Sequence, residues 1–88
     1  MHRIIYSEEF DVQARLLGGI VLVDEALRPV IDALERNPRA YRYIQTEWFR
    51  IRYAVTKPRG NFPAFLVYFV IDEDEDVVME WVEIHNPY

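Results

Sequence analysis

The run AFLVYFVI, residues 64–71, constrains the fold of this 88-residue chain more than any other feature. Polar and apolar positions do not alternate in it, and its aromatic and β-branched side chains favour a strand over a helix. A strand that is apolar at every position is typical of the centre of a sheet that is covered on both faces. The sequence therefore predicts a central strand with both of its faces buried.

A second strand is predicted just before this run, because from Trp48 the apolar pattern takes a period of two. One predicted face is apolar and the other includes two arginines: Phe49, Ile51, Tyr53 and Val55 on the first, and Trp48, Arg50, Arg52 and Ala54 on the second. We expect the apolar face of this strand to be buried and its arginines to point outward.

Two helices are predicted ahead of these strands, after a short strand at residues 2–6. Ser7 is a suitable N-cap for the first helix, which ends at a Gly-Gly pair. The second helix carries an apolar stripe and ends near Asn37. Pro29 lies inside it and predicts either a kink or a start no earlier than about Asp24.

The C-terminal part of the chain is predicted to be a charged hairpin at residues 72–76 followed by a last strand at residues 77–85. The complete order is β-α-α-β-β-β. It predicts an α+β fold in which a helical hairpin packs on one face of a largely antiparallel sheet. Residues 1–88 are predicted to form a single domain.

Basic residues are concentrated in one segment of an acidic chain. Seven of the ten lie within residues 36–59, where Glu47 is the one acid, so this segment has a net charge of +6 while the whole chain has −5. Aromatic residues are interleaved with them, as in nucleic-acid surfaces where cations neutralise phosphates and rings stack on bases. The alternative is that the segment pairs internally with the acidic flanks.

The residue types exclude several kinds of chemistry. The chain contains no cysteine, which excludes disulfides and thiolate catalysis. No secretion signal and no apolar run of ~18 residues are found, so we expect a soluble cytoplasmic protein without a membrane partner. No cofactor and no metal are expected. Asp72, Asp74 and Asp76 resemble the start of a calcium loop, but Val77 stands where that loop needs glycine, and a solvated hairpin is predicted instead.

The first candidate site is the outward face of the second predicted strand with the loop that follows it. Its side chains are cationic or aromatic: Trp48, Arg50, Arg52, Lys57 and Arg59. The i, i+2 spacing of the two strand arginines places them about 7 Å apart, close to the spacing of consecutive phosphates. We interpret this set as a nucleic-acid or target-binding surface, and the alternative is a face that only confers solubility. Reversing both strand arginines to glutamate is expected to leave the thermal midpoint nearly unchanged.

The second candidate site lies at the C-terminus. His85 and Tyr88 would supply a general base and a hydroxyl to an RNA-cleaving site in which arginines, Arg52 among them, stabilise the transition state. Such a site needs no metal. The alternative is that His85 only ends a strand and that Tyr88 packs or frays.

Four short motifs occur in the order of the predicted elements: ALERNP at residues 33–38, FRIRY at 49–53, LVYFVID at 66–72 and EIH at 83–85. Together with the element order, they resemble the RelE/ParE superfamily of bacterial toxin-antitoxin and plasmid-stabilisation systems. The resemblance implies a toxin that cuts messenger RNA on the ribosome, as a metal-independent endoribonuclease, or that poisons DNA gyrase. It also implies a cognate antitoxin as partner. His85 matches the C-terminal histidine of some nuclease members.

One departure from the family pattern supports a different function on the same fold. The nuclease branch carries an arginine immediately before Leu-Val-Tyr, and here that position is Phe65. The alternative is therefore a catalytically inactive protein-interaction module or a homodimer. Its apolar binding patch would be built from large side chains: Trp48, Phe62, Trp81 and Tyr88.

Overall fold

The structure is a computed structural model that describes residues 1–48 and 50–86. In these ranges the chain forms three α-helices, one 3₁₀ helix and five strands. In chain order these are β1 (Ile4–Tyr6), α1 (Glu8–Leu16), α2 (Ile20–Ala26), α3 (Arg28–Arg36), the 3₁₀ helix (Pro38–Ala40), β2 (Tyr43–Gln45), β3 (Arg50–Val55), β4 (Phe65–Ile71) and β5 (Val77–Ile84).

The strands form one mixed sheet with the order β1-β5-β4-β3-β2. β1 is parallel to β5, and the other neighbouring strands are antiparallel. The helices pack on one face of this sheet. The predicted α+β class is therefore confirmed, as is the position of 64–71 at the centre, because β4 is the middle strand.

The N-terminal predictions are confirmed in outline and corrected in detail. The Ser7 hydroxyl caps α1 by accepting a hydrogen bond from the Phe10 amide at 3.1 Å. The predicted second helix is two helices, α2 and α3, which meet at Leu27. Pro29 lies in the first turn of α3, where backbone N–H groups have no acceptor within the helix, so the lack of an N–H in proline costs no helical hydrogen bond. The short edge strand β2 was not predicted.

The core lies between the helices and alternate residues of the central strands. Phe65, Val67 and Phe69 of β4 are fully or almost fully buried on this side, where Phe10 of α1 and Leu34 of α3 belong to the same cluster. The intervening β4 residues are only half-buried. The described residues thus cover one face of the central strand and place no layer on the other face, which we call the open face. The prediction that both faces of this strand are buried was therefore wrong.

The prediction for the two faces of β3 was wrong. Arg52 and Ala54 are buried on the helical side of the sheet, whereas Ile51, Tyr53 and Val55 lie on the open face. The alternation correctly grouped these residues, but a period of two does not indicate which group is covered. Phe49, assigned to the same face as Ile51, lies outside the described residues.

The predicted charged turn between β4 and β5 is confirmed. One Asp72 carboxylate oxygen accepts hydrogen bonds from the backbone amides of Asp74 and Asp76, both at 2.9 Å. Glu75 has a φ of 64°, the left-handed conformation that usually favours glycine. Its carboxylate pairs with Arg39 at 2.5 Å, which ties the turn to the segment that follows α3.

Candidate functional site

Three aromatic side chains form a row across the open face. Tyr53 of β3 pairs directly with Tyr68 of β4, and Tyr68 pairs directly with Trp81 of β5. Residues directly opposite each other in antiparallel strands have side chains on the same face. A register shift after Tyr68 leaves Glu80 as an extra residue in β5, and this bulge brings Trp81 into line with the two tyrosines.

Aliphatic residues flank this aromatic row on both sides. Their register partners place them on the open face in pairs: Val55 with Leu66, Val70 with Val78, Ile5 with Val78, and Ile44 with Ile51. The open face is therefore apolar across the width of the sheet. A groove of about 970 Å³ runs along it, with Tyr68, Val70 and Trp81 among the lining residues.

The rim of this groove is mainly acidic. Asp72, Glu73 and Asp74 reach it from the β4–β5 turn and Glu80 from the bulge, while Arg50 is a cation among its lining residues. Burial raises the pKa of Glu80 above its usual value, and the negative charge of Glu9 raises it further. The folded chain therefore holds the proton on Glu80 more tightly than the unfolded chain does.

We expect Glu80→Gln to raise the thermal midpoint by about 2 °C at about pH 7. A carboxyl group whose folded pKa is raised stabilises the fold below its unfolded pKa and loses that contribution as pH rises through the folded pKa. The advantage of the variant should therefore disappear at about pH 4. Thermal unfolding across this range would measure it, with the exposed Glu83→Gln as control. An equal gain from both substitutions would show that only net charge was changed.

Arg52, assigned to the outward basic face, is buried at 8 % exposure. Its guanidinium donates hydrogen bonds to the carbonyl oxygens of Tyr41 at 2.7 Å and Arg39 at 3.2 Å. Burial lowers its pKa, and the positive charges of Arg50 and Arg39 lower it further. Arg52 therefore joins β3 to the segment after α3 instead of presenting its charge to a ligand.

Of the other predicted binding residues, Arg50 lies beside Arg52, because the guanidinium groups of both lie over the Tyr43 ring, that of Arg52 at 5.1 Å from the ring centroid. The exposed Arg50 lies over the Tyr43 ring, with its guanidinium carbon 4.5 Å from the ring centroid. Arg59 donates to the carbonyl oxygen of Glu25 in α2, on the helical side. Lys57 is exposed in the loop after β3, and Trp48 is 84 % exposed before that strand.

The predicted catalytic residues are not brought together among the described parts of the chain. His85 follows β5 and donates its backbone N–H to Ala64 at 2.8 Å, at the end of the sheet where β4 begins. Arg52 lies further along the sheet, because it pairs with Phe69 of β4. Phe69 is four residues from Phe65, where β4 begins, and this is a distance of about 13 Å along the strand. Tyr88 lies outside the described residues. The catalytic roles of these three residues stay predictions.

Asp72, Asp74 and Asp76 each place a carboxylate oxygen within 4.8 Å of the others. The contacts of the turn account for this cluster. Asp72 accepts the two backbone hydrogen bonds described above, and Asp76 forms an ion pair with Arg3 at 2.7 Å. The arrangement stabilises the turn and the adjoining N-terminal strand.

Comparison with protein-family models, curated proteins and solved structures finds no match for this chain. Within residues 1–48 and 50–86, no helix is both long enough and apolar enough to cross a membrane.

Proposed function

We propose that this protein is a binding module that docks a partner protein on the open face of its sheet. The observation that carries the proposal is the contrast between the two faces of β4. Every residue of this strand is apolar or aromatic, yet the helices bury only Phe65, Val67 and Phe69 and leave Leu66, Tyr68 and Val70 half-exposed. A central strand of this composition is suited to two covering layers, and residues 1–48 and 50–86 supply one.

The extent of the apolar surface supports the same proposal. Contiguous apolar surface spreads over the open face from Ile5 to Ile44, and large patches of this kind on soluble proteins usually mark interaction sites. A partner layer would remove this surface from water.

A second candidate is a RelE/ParE-like toxin that contacts RNA, the ribosome or gyrase. The observation in its favour is a small exposed cluster around β2 in which Arg50 stacks on Tyr43, near Arg42 and Trp48. Such a cluster pairs a cation with rings on which bases can stack. The burial of Arg52 and the helix-side position of Arg59 reduce the number of cations available to it.

One cross-linking experiment tests both candidates. A photoreactive phenylalanine analogue would replace Tyr68, Trp48 or Val21 in turn, and the third position is the control because Val21 is 78 % exposed on the helical layer. We expect a discrete protein adduct from position 68 alone in the source cell. RNA, ribosomal or gyrase adducts from position 48, with none from position 68, would favour the toxin candidate instead.

The captured protein must then bind directly when both components are purified. We expect Val70→Asp to weaken this binding by about 30-fold or more, because it places a charge in the centre of an apolar contact. Val21→Asp should leave the dissociation constant unchanged. Equal binding by all three forms would contradict docking on the open face.

A further inference from the structure

We infer that the segment covering the open face is a cationic amphipathic helix from a partner protein. This inference rests on the docking function proposed above and specifies the chemistry of the partner. It follows from the dimensions of the open face, from the shortness of the sheet edges and from the charges around the groove.

The central part of the open face has the width of a helix, and the two outermost strands of the sheet are short. β3, β4 and β5 are the longer strands, and the distance across them is about 10 Å, which matches the diameter of a helix with its side chains. The edge strands β1 and β2 have three residues each, so a peptide added to either edge would find few backbone partners. A helix lying on the face buries the aromatic row without needing an edge.

The charges around the groove select a basic helix. Glu73, Asp74 and Glu80 line it, and Glu83 extends the acidic character because it pairs in register with Leu66 of the open face. Arg50, the one cation among the described lining residues, already lies against Tyr43. Lysine or arginine side chains at the edges of a bound helix would meet these carboxylates.

The same carboxylates disfavour two other occupants of the open face. A nucleic acid would bring phosphates to the acidic rim. A second copy of this chain stacked face to face would bring a second set of the same carboxylates. A cationic helix avoids both repulsions.

The test uses synthetic helical peptides of about 18 residues, or about five turns. One peptide carries a leucine stripe with lysine at the remaining positions, and its matched control carries glutamate in place of lysine. Trp48→Phe leaves Trp81 as the single tryptophan, so the fluorescence reports on the open face. We expect saturable binding of the lysine peptide with a blue shift of the Trp81 fluorescence. The glutamate peptide should bind at least about tenfold more weakly.

Two sets of variants separate this inference from the proposed function. Glu73→Gln, Asp74→Asn and Glu83→Gln together should reduce the preference for the lysine peptide to about threefold or less. Val70→Asp should abolish binding of both peptides. If Val70→Asp does so while the peptides bind equally, the open face docks helices but the inference of a cationic partner is overturned.

Two other outcomes are equally decisive. If Val70→Asp leaves both peptides bound and Trp81 unshifted, the inference and the proposed docking function both fail. If light scattering shows that the chain alone is a dimer that Val70→Asp dissociates, a second copy covers the face. That result overturns the cationic partner and leaves the open face as an interaction surface.

Discussion

Arg52→Glu is expected to lower the free energy of unfolding by about 3–5 kcal/mol, enough to unfold much of a domain of this size. The substitution would place a carboxylate against the carbonyl oxygens of Tyr41 and Arg39, which now accept hydrogen bonds from Arg52. It would do so at a position that is 8 % exposed, where repulsion between oxygens is poorly screened by water.

Arg50→Glu is the matched control because it makes the same charge reversal two residues away on the same strand. Arg50 is exposed, so we expect its replacement to change the free energy of unfolding by less than about 1 kcal/mol. Arg52→Lys should fall between the two variants, because a lysine keeps the charge but cannot reproduce the guanidinium geometry. Urea denaturation followed by circular dichroism would measure all three. Equal midpoints for Arg50→Glu and Arg52→Glu would contradict the burial of Arg52.

This prediction replaces the expectation that reversing Arg50 and Arg52 together would leave the thermal midpoint nearly unchanged. Loss of RNA binding in that double variant would report unfolding and not the removal of a binding surface. The exposed cluster around β2 should be tested with Arg42→Glu and Arg50→Glu, because both of these arginine side chains are exposed.

The parts of the fold that the sequence predicted depend on local patterns. Ser7 with the apolar stripe after it defined the start of α1, and the apolar run at 64–71 defined β4. The acidic turn at 72–76 was equally clear, since its charged residues separate two apolar strands. Each of these signals is complete within a few neighbouring residues, so no tertiary information was needed.

The parts that could not be predicted depend on distant contacts. β2 has three residues, too few to show a period of two. The burial of Arg52 depends on carbonyl groups 11 and 13 residues earlier in the chain. Because those acceptors are placed by the turn after α3, no pattern within 48–55 could show that the arginine side of β3 faces the helices.

The candidate site could be predicted only in part from the sequence, because it too depends on contacts between distant residues. The apolar run at 64–71 indicated that β4 needs a cover on both faces, and Trp81 was already a candidate for an apolar patch. The aromatic row itself depends on the pairing of three strands and on the extra residue at Glu80. A bulge changes the face of every later residue in its strand, and its position follows from the pairing, not from the local composition.

Alternate substitutions along β4 should separate these two faces with a large difference in stability. Phe69→Ala removes a fully buried ring from the core and is expected to cost about 3–5 kcal/mol. Tyr68→Ala, at the adjacent residue on the open face, should cost about 1 kcal/mol, because Tyr68 is only half-buried and no described layer of the chain packs over it. Urea denaturation of the purified variants would give both values.

The same contrast should be stronger with charged substitutions. Phe69→Asp places a carboxylate in the core and is expected to prevent folding, whereas Val70→Asp leaves its carboxylate within reach of water on the open face. If Val70→Asp unfolds the isolated chain as Phe69→Asp does, then β4 is covered on both faces within the monomer. The open face would then have no surface to offer a partner. A folded Val70→Asp variant that fails to bind would instead show that the open face of β4 is used for recognition. Its apolar residues would then not be needed for the folding of the chain itself.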